Sequence, residues 1–191
     1  MKTYTVADVA ELVEKYSDIV DFGTAEDAVS DERIEEAEKI LGVKFTTSYK
    51  DFLKNYKGGE IGGDEIFSIY NASFDKCPAG DIVFYHLTDI KNGFAKSNQL
   101  AVSRTDFGET FYFDYSQFRD GECPLYLEFP PEGPYYYASN FYEFLCKRIK
   151  VHAGVEIPDG DQPIEKIENT PSPQPIPFYK SFWKKLWRKG N

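Results

Sequence analysis

Apolar positions recur at helical spacing in five separate stretches of this chain and at a spacing of two in others. Val6, Val9, Val13 and Tyr16 mark one face and predict a helix over 6–18, opened by Thr5 with Asp8 as a capping box. Ile34, Ala37 and Leu41 form a narrow stripe behind Ser30, a good N-cap; Asp31 and Glu32 sit in the first turn, where the helix dipole favours negative charge. Gly42 suits the left-handed position that closes such a helix. Tyr49, Phe52, Leu53 and Tyr56 follow i, i+3, i+4, i+7 and predict a second helix from Thr47 or Ser48 to Lys57. Ser139 or Asn140 caps a last helix, with Phe141, Phe144, Leu145, Arg148 and Ile149 in register.

Strand signals lie between. Glu65–Tyr70 reads as a strand after the glycines at 58, 59, 62 and 63. Ile82–Leu87 is an apolar run and predicts a strand, with 88–98 a loop, or a loop with a short helical turn. Leu100–Ser103 is short and extended, and Thr105–Gly108 is a hairpin turn. Thr110–Tyr115 alternates with period two, Asp120–Gly121 marks a turn, and Leu125–Phe129 is the next strand. Pro130, Pro131, Gly133 and Pro134 break it. Helices, then closely spaced strands, then a helix predict an α+β fold. Its sheet is a mostly antiparallel twisted one of about five to six strands, with N-terminal helices and a closing C-terminal helix packed on it.

The order and spacing of several of these pieces resemble the SUKH (Smi/Knr-type) superfamily. The matching residues are Ile34, Glu38, Leu41, Gly42, Ser48, Tyr49, Phe52, Leu53, Gly58, Gly59, Ile66 and Phe67. Leu100–Val102, Gly108, Phe113, Asp114, Cys123, Pro124, Tyr126, Ser139, Phe141, Phe144 and Leu145 continue the likeness. Thr47 stands where the family often has proline, and threonine also caps helices. On this basis 28–150 is a SUKH-like domain, and 1–27 is a helix and connector of the same globular unit. The resemblance implies a non-enzymatic binding protein of the bacterial immunity type, which blocks a toxin by binding it. Its fungal members imply, as an alternative, an intracellular regulatory scaffold of the cell-wall type, and an aromatic pocket lined by the sheet would suit a third reading, a small-ligand module.

Charge sharpens the immunity reading. The net charge is −10, yet Lys180, Lys184, Lys185, Arg188 and Lys189 crowd a terminal stretch without acids, which leaves residues 1–179 at −15. Such a field repels nucleic acid and draws a basic protein partner, such as a nuclease toxin domain. Acids near turns and strand ends are the candidate contacts: Asp64, Glu65, Asp106, Glu109, Asp114, Asp120, Glu122 and Glu128. Tyr112 and Tyr126 are candidate aromatic anchors. The bland alternative, a solvated surface charge, stands beside each acid.

Residues 151–178 are proline-rich and predict an extended linker. In 179–191, Tyr179, Phe182, Trp183, Leu186 and Trp187 share one helical face, with the basic residues largely off it. Phe182, Trp183, Lys184, Lys185, Trp187 and Arg188 are its candidate contacts, to a partner, to a membrane surface or to the chain's own acidic domain. Three cysteines without CxxC spacing predict reduced thiols and a cytoplasmic protein. The N-terminus lacks the apolar run of a signal peptide. Cys77, Cys123 and Cys146 with His86 and His152 do not supply a nucleophile pair or a zinc set at workable spacing, and no cofactor or catalytic residue is implied.

Overall fold

The computed structural model describes residues 3–74, 76, 80–94, 96 and 98–157, together with the backbone of 164–165. In chain order the elements are α1 (Val6–Lys15), β1 (Val20–Phe22), α2 (Asp31–Leu41), α3 (Thr47–Asn55), β2 (Gly59–Ile61), β3 (Asp64–Ile66), α4 (Ile82–Asn92), β4 (Gln99–Arg104), β5 (Thr110–Asp114), β6 (Leu125–Phe129), β7 (Glu132–Ala138), α5 (Phe141–His152) and β8 (Ile164–Glu165). One antiparallel sheet runs β1-β2-β3-β4-β5-β6-β7-β8, so every strand pairs with its neighbours in sequence. The fold is α+β, with more strands than the five to six expected.

The helix ends follow the capping chemistry of the sequence. Thr5 and Asp8 form their reciprocal box, with Thr5 N donating to Asp8 Oδ2 over 2.9 Å. Ser30 Oγ accepts from Arg33 N, and Gly42 closes α2 at φ 69°. α1 stops at Lys15, three residues short of the expected end, because Tyr16 leaves helical geometry as the C-cap.

The largest departure is Ile82–Leu87, expected as a strand and found as the first half of α4. Asp81 decides it: its Oδ1 accepts from Val83 N at 3.0 Å and Phe84 N at 2.9 Å, and Gly93 at φ 74° ends the helix. A short apolar run has no readable period, and the caps at either end carried the answer. His86, expected on a strand, is therefore a buried helical residue.

Three further strands lie in stretches read as connector or turn. β1 falls in the connector, β2 in the glycine cluster, and β7 starts inside the proline break, at Glu132, and takes in Gly133 and Pro134. Gly59 belongs to β2 at φ 141°, and a Cβ there would strike Asp21 O of β1. The glycine is thus a close-approach residue inside a ladder, while Gly62 and Gly63 make the turn. The prolines mark a tight β6–β7 turn; Glu132 pairs back on Phe129. Ile164 and Glu165, within the stretch read as linker, pair with Tyr136 and Tyr135 of β7. The rest of 158–178 and the whole of 179–191 lie outside the described residues.

The core is aromatic. Phe141 of α5 meets Tyr49 at 4.9 Å, Phe52 at 5.2 Å, Phe144 at 5.3 Å and Phe113 at 5.8 Å between ring centroids. Tyr49 is fully buried and donates its hydroxyl to Phe67 O over 2.8 Å. That bond satisfies the polar end of a large ring inside the core.

Candidate partner-binding face

Alternation along β5 assigns the two faces of the sheet. Phe111 and Phe113 point toward α5, with Phe111 5.3 Å from Phe144. Thr110, Tyr112 and Asp114 therefore point to the opposite, outer face. Tyr112 pairs in register with Tyr126, and Tyr126 with Tyr136. The result is a row of three tyrosines across β5, β6 and β7, with ring spacings of 6.1 and 5.8 Å. Glu128 pairs with Thr110 one row along, so it shares this face. Tyr112 and Tyr126 are 2 % and 6 % exposed, and burial pushes the Tyr112 phenol well above its ordinary pKa. β5, β6 and β7 together contain three acids, Asp114, Glu128 and Glu132, and no lysine or arginine.

The same outer face is occupied by α4 over β3 and β4. Glu65, Arg104 and Thr110 lie across from one another in register, which puts Arg104 and Glu65 on that side. Arg104 pairs with Asp89 of α4, and Phe67 stacks on Tyr85 at 4.5 Å. Leu87, Ile90 and Phe94 are solvent-exposed along α4 and just past its end.

The expected contact residues divide into three groups. Tyr112, Asp114, Tyr126 and Glu128 come together on the outer face. Asp114 is itself buried, and its Oδ1 accepts from Ser116 N, Ser116 Oγ and Asn98 Nδ2 at 2.6–3.1 Å. Gln117 Nε2 bridges Asp114 Oδ2 and Tyr126 Oη, each at 2.9 Å. Asp106 and Asp120 are exposed in turns at opposite ends of the sheet, Asp106 beside exposed Phe107. Glu65 is half-buried, and burial raises its pKa. Glu122 holds α3: Oε1 accepts from Ser48 N at 2.9 Å and Oε2 from Ser48 Oγ at 2.6 Å. Ser48 Oγ in turn accepts from Phe141 N at 3.1 Å, which ties the start of α5 to the start of α3.

Asp64 and Glu109 are buried in a charged cluster under the helix-facing side. Asp64 Oδ2 accepts from Arg148 Nη2 and stands 2.8 Å from His152 Nε2. Burial alone would raise the Asp64 pKa, but His152 and Arg148 hold it below the ordinary carboxylate value. Glu109 Oε2 accepts from Thr105 Oγ1 at 3.2 Å, and burial outweighs the pull of Arg148 and raises its pKa. Arg148 Nε and Nη1 and the Tyr137 hydroxyl are buried without hydrogen-bond partners among the described residues. The Tyr137 phenol is pushed up to about 12, chiefly by burial. Sequence reading gave Arg148 only a place on the core face of a helix. The signal for more was its i, i+4 spacing to His152, opposite an acid that follows a Gly-Gly turn.

The sign of the Glu109 shift makes a prediction. A carboxyl whose folded pKa is raised stabilises the fold fully below its unfolded pKa and loses that contribution as pH rises through the folded value. Glu109→Gln should therefore match the parent in acid and exceed it in stability at neutral pH, as read by urea midpoints across pH.

The thiols are packed. Cys146 is buried in α5, and Cys123 Sγ donates to Asp114 O over 2.9 Å while burial pushes its pKa up to about 12. Such a thiol is the opposite of an activated nucleophile. Cys77 lies outside the described residues. Among the described residues no helix is long and apolar enough to cross a membrane.

A meandering antiparallel sheet with α3 and α5 on one side and α4 on the other defines a Smi/Knr-like α+β domain. Residues 31–145 match the model of the SMI1-KNR4 cell-wall family (SUKH_6), and the chain belongs to that family. The matched span runs from α2 into α5. A search among curated proteins gives no match.

Proposed function

We propose that the chain is a non-enzymatic binding protein of the immunity type, which neutralises a basic toxin domain by covering it. The observation that carries this reading is the outer face of β5–β7, where Glu128 stands one row from three aligned tyrosines in strands that hold no lysine or arginine. Desolvated aromatic anchors with a like-signed rim suit a partner of the opposite charge. The main buried ionisable groups have structural tasks: Asp64 and Arg148 pair, Glu122 caps α3, and Lys147 bridges Glu143 at 2.7 Å and Tyr137 O at 2.8 Å. In this reading Glu65, Asp106, Asp120 and Glu128 meet the partner, Tyr112 and Tyr126 floor the contact, and Asp64, Glu109, Asp114 and Glu122 hold the frame.

The test is binding between the full chain and the product of a neighbouring toxin gene at low and high salt. The association rate should fall by about tenfold or more as salt rises from ~0.05 to ~0.5 M. A rate indifferent to salt would remove the acids from the interface. The family's cell-wall description favours a second reading, a regulatory scaffold. Capture of an envelope or signalling protein in place of a toxin would select it.

A further inference from the structure

A partner can seize only side chains that are free to be covered, and Tyr112 and Tyr126 lie below that level, as a floor. Among the described residues the two most exposed large apolar side chains are Phe94, at 77 %, and Phe107, at 70 %. Both are held by their backbones. Phe94 N donates to Asp89 O over 2.8 Å, in the closure of α4 by Gly93. In such a closure the residue after the glycine ordinarily packs an apolar side chain on the helix, and here it stands in solvent. Phe107 is the third residue of a turn closed by Gly108 N donating to Thr105 O at 3.0 Å.

The two rings lie at one end of the outer face. Ile82 N donates to Ser68 O, next to the bond from Phe67 N to Val102 O at the middle of β4, while Asp89 meets Arg104 at the end of β4. α4 therefore advances along β4 toward the Thr105–Gly108 turn. Tyr85 stacks on Phe67, just past β3, and Asp89, ~40° further round the helix, sits on Arg104 of β4. Ile90 and Leu87 come at ~140° and ~200° in the same sense, which turns them to the β5 side. They are 41 % and 43 % exposed. Lys91, at ~240°, is on the solvent side of the helix. Beyond Arg104 the register row continues through Thr110 of β5 to Glu128 of β6. Asp106 is exposed beside Phe107, and Arg104 has its charge taken by Asp89.

We propose that this corner, built from Leu87, Ile90, Phe94 and Phe107 with Asp106 and Glu128 beside them, takes an apolar side chain of the protein partner that is flanked by lysine or arginine. The inference rests on the binding reading above and names where its apolar contact falls. Two phenylalanines fixed by their backbones lose little freedom when covered, so they act as preformed anchors. Asp106 and Glu128 complement a basic protein, and Glu128 joins the corner to the face already assigned to it. Charge then governs how fast the partner arrives, and the phenylalanines how long it stays.

The probe is the product of the neighbouring toxin gene, bound to the full chain at fixed salt and followed kinetically. Phe94→Ser and Phe107→Ser should each raise the dissociation rate by about tenfold or more and change the association rate by less than about twofold. Urea midpoints should stay at the parent's, because both rings are already in water, and Phe94→Leu should restore most of the residence time. Hydrogen exchange at 90–94 and 106–109 should slow in the complex. Dissociation at the parent's rate in both serine variants overturns the corner and spares the function. A parent that sediments as a dimer while the serine variants sediment as monomers gives the corner to a second copy and also overturns it. Toxin that never binds the parent chain overturns the function, and the corner with it.

Discussion

Arg148→Met should destabilise the protein by about 3–5 kcal/mol, the cost of leaving a buried charge without its partner. Arg148 is 2 % exposed, and Asp64, the carboxylate it pairs with, is 8 % exposed. Methionine keeps much of the packing volume but strands Asp64 with only His152 beside it. The same substitution also removes the cation 4.7 Å above the Phe111 ring. Urea denaturation would measure the loss, and a second variant separates charge from packing. Asp64→Leu combined with Arg148→Met removes both charges, so it should recover a large part of the stability lost in the single variant. Equal losses in single and double variants would mean that the arginine's stem matters and its charge does not.

Phe141→Ala should cost about 3–5 kcal/mol, in the range for emptying an aromatic site in a core that cannot collapse. Phe141 is fully buried and touches rings of α3, β5 and α5 together, through Tyr49 and Phe52, Phe113, and Phe144. Its backbone N–H is also fixed by Ser48, so the helix start cannot slide to fill the hole. Phe141→Leu should lose roughly half as much, because most of the volume stays. Near-equal urea midpoints for Phe141→Ala and the parent would show that the cavity collapses and that the site is not a keystone.

Periodicity and caps made α2, α3, α5 and β4 to β6 legible, because each carries its own boundary chemistry: Ser30 and Gly42 for α2, Asn140 for α5, the Thr105–Gly108 turn for the β4–β5 hairpin. The elements that escaped are those whose identity depends on distant partners. β1 and β2 are three residues each and exist because they pair with one another. α4 was legible in principle from Asp81 and Gly93, but its apolar run outweighed its ends. For the site, alternation in β5 and β6 was enough to place Tyr112, Tyr126 and Glu128 on one face. Register, which no local pattern encodes, was needed to add Tyr136 to the row and to bury Asp64 and Glu109 beside Arg148. Turn position alone cannot tell Asp106, which meets water, from Glu122, which holds a helix.

The sheet is bordered on one side by the three residues of β1 and on the other by the two of β8. The three-residue β1 margin offers a neighbouring molecule's backbone few groups to pair with, which works against edge-to-edge association on that side.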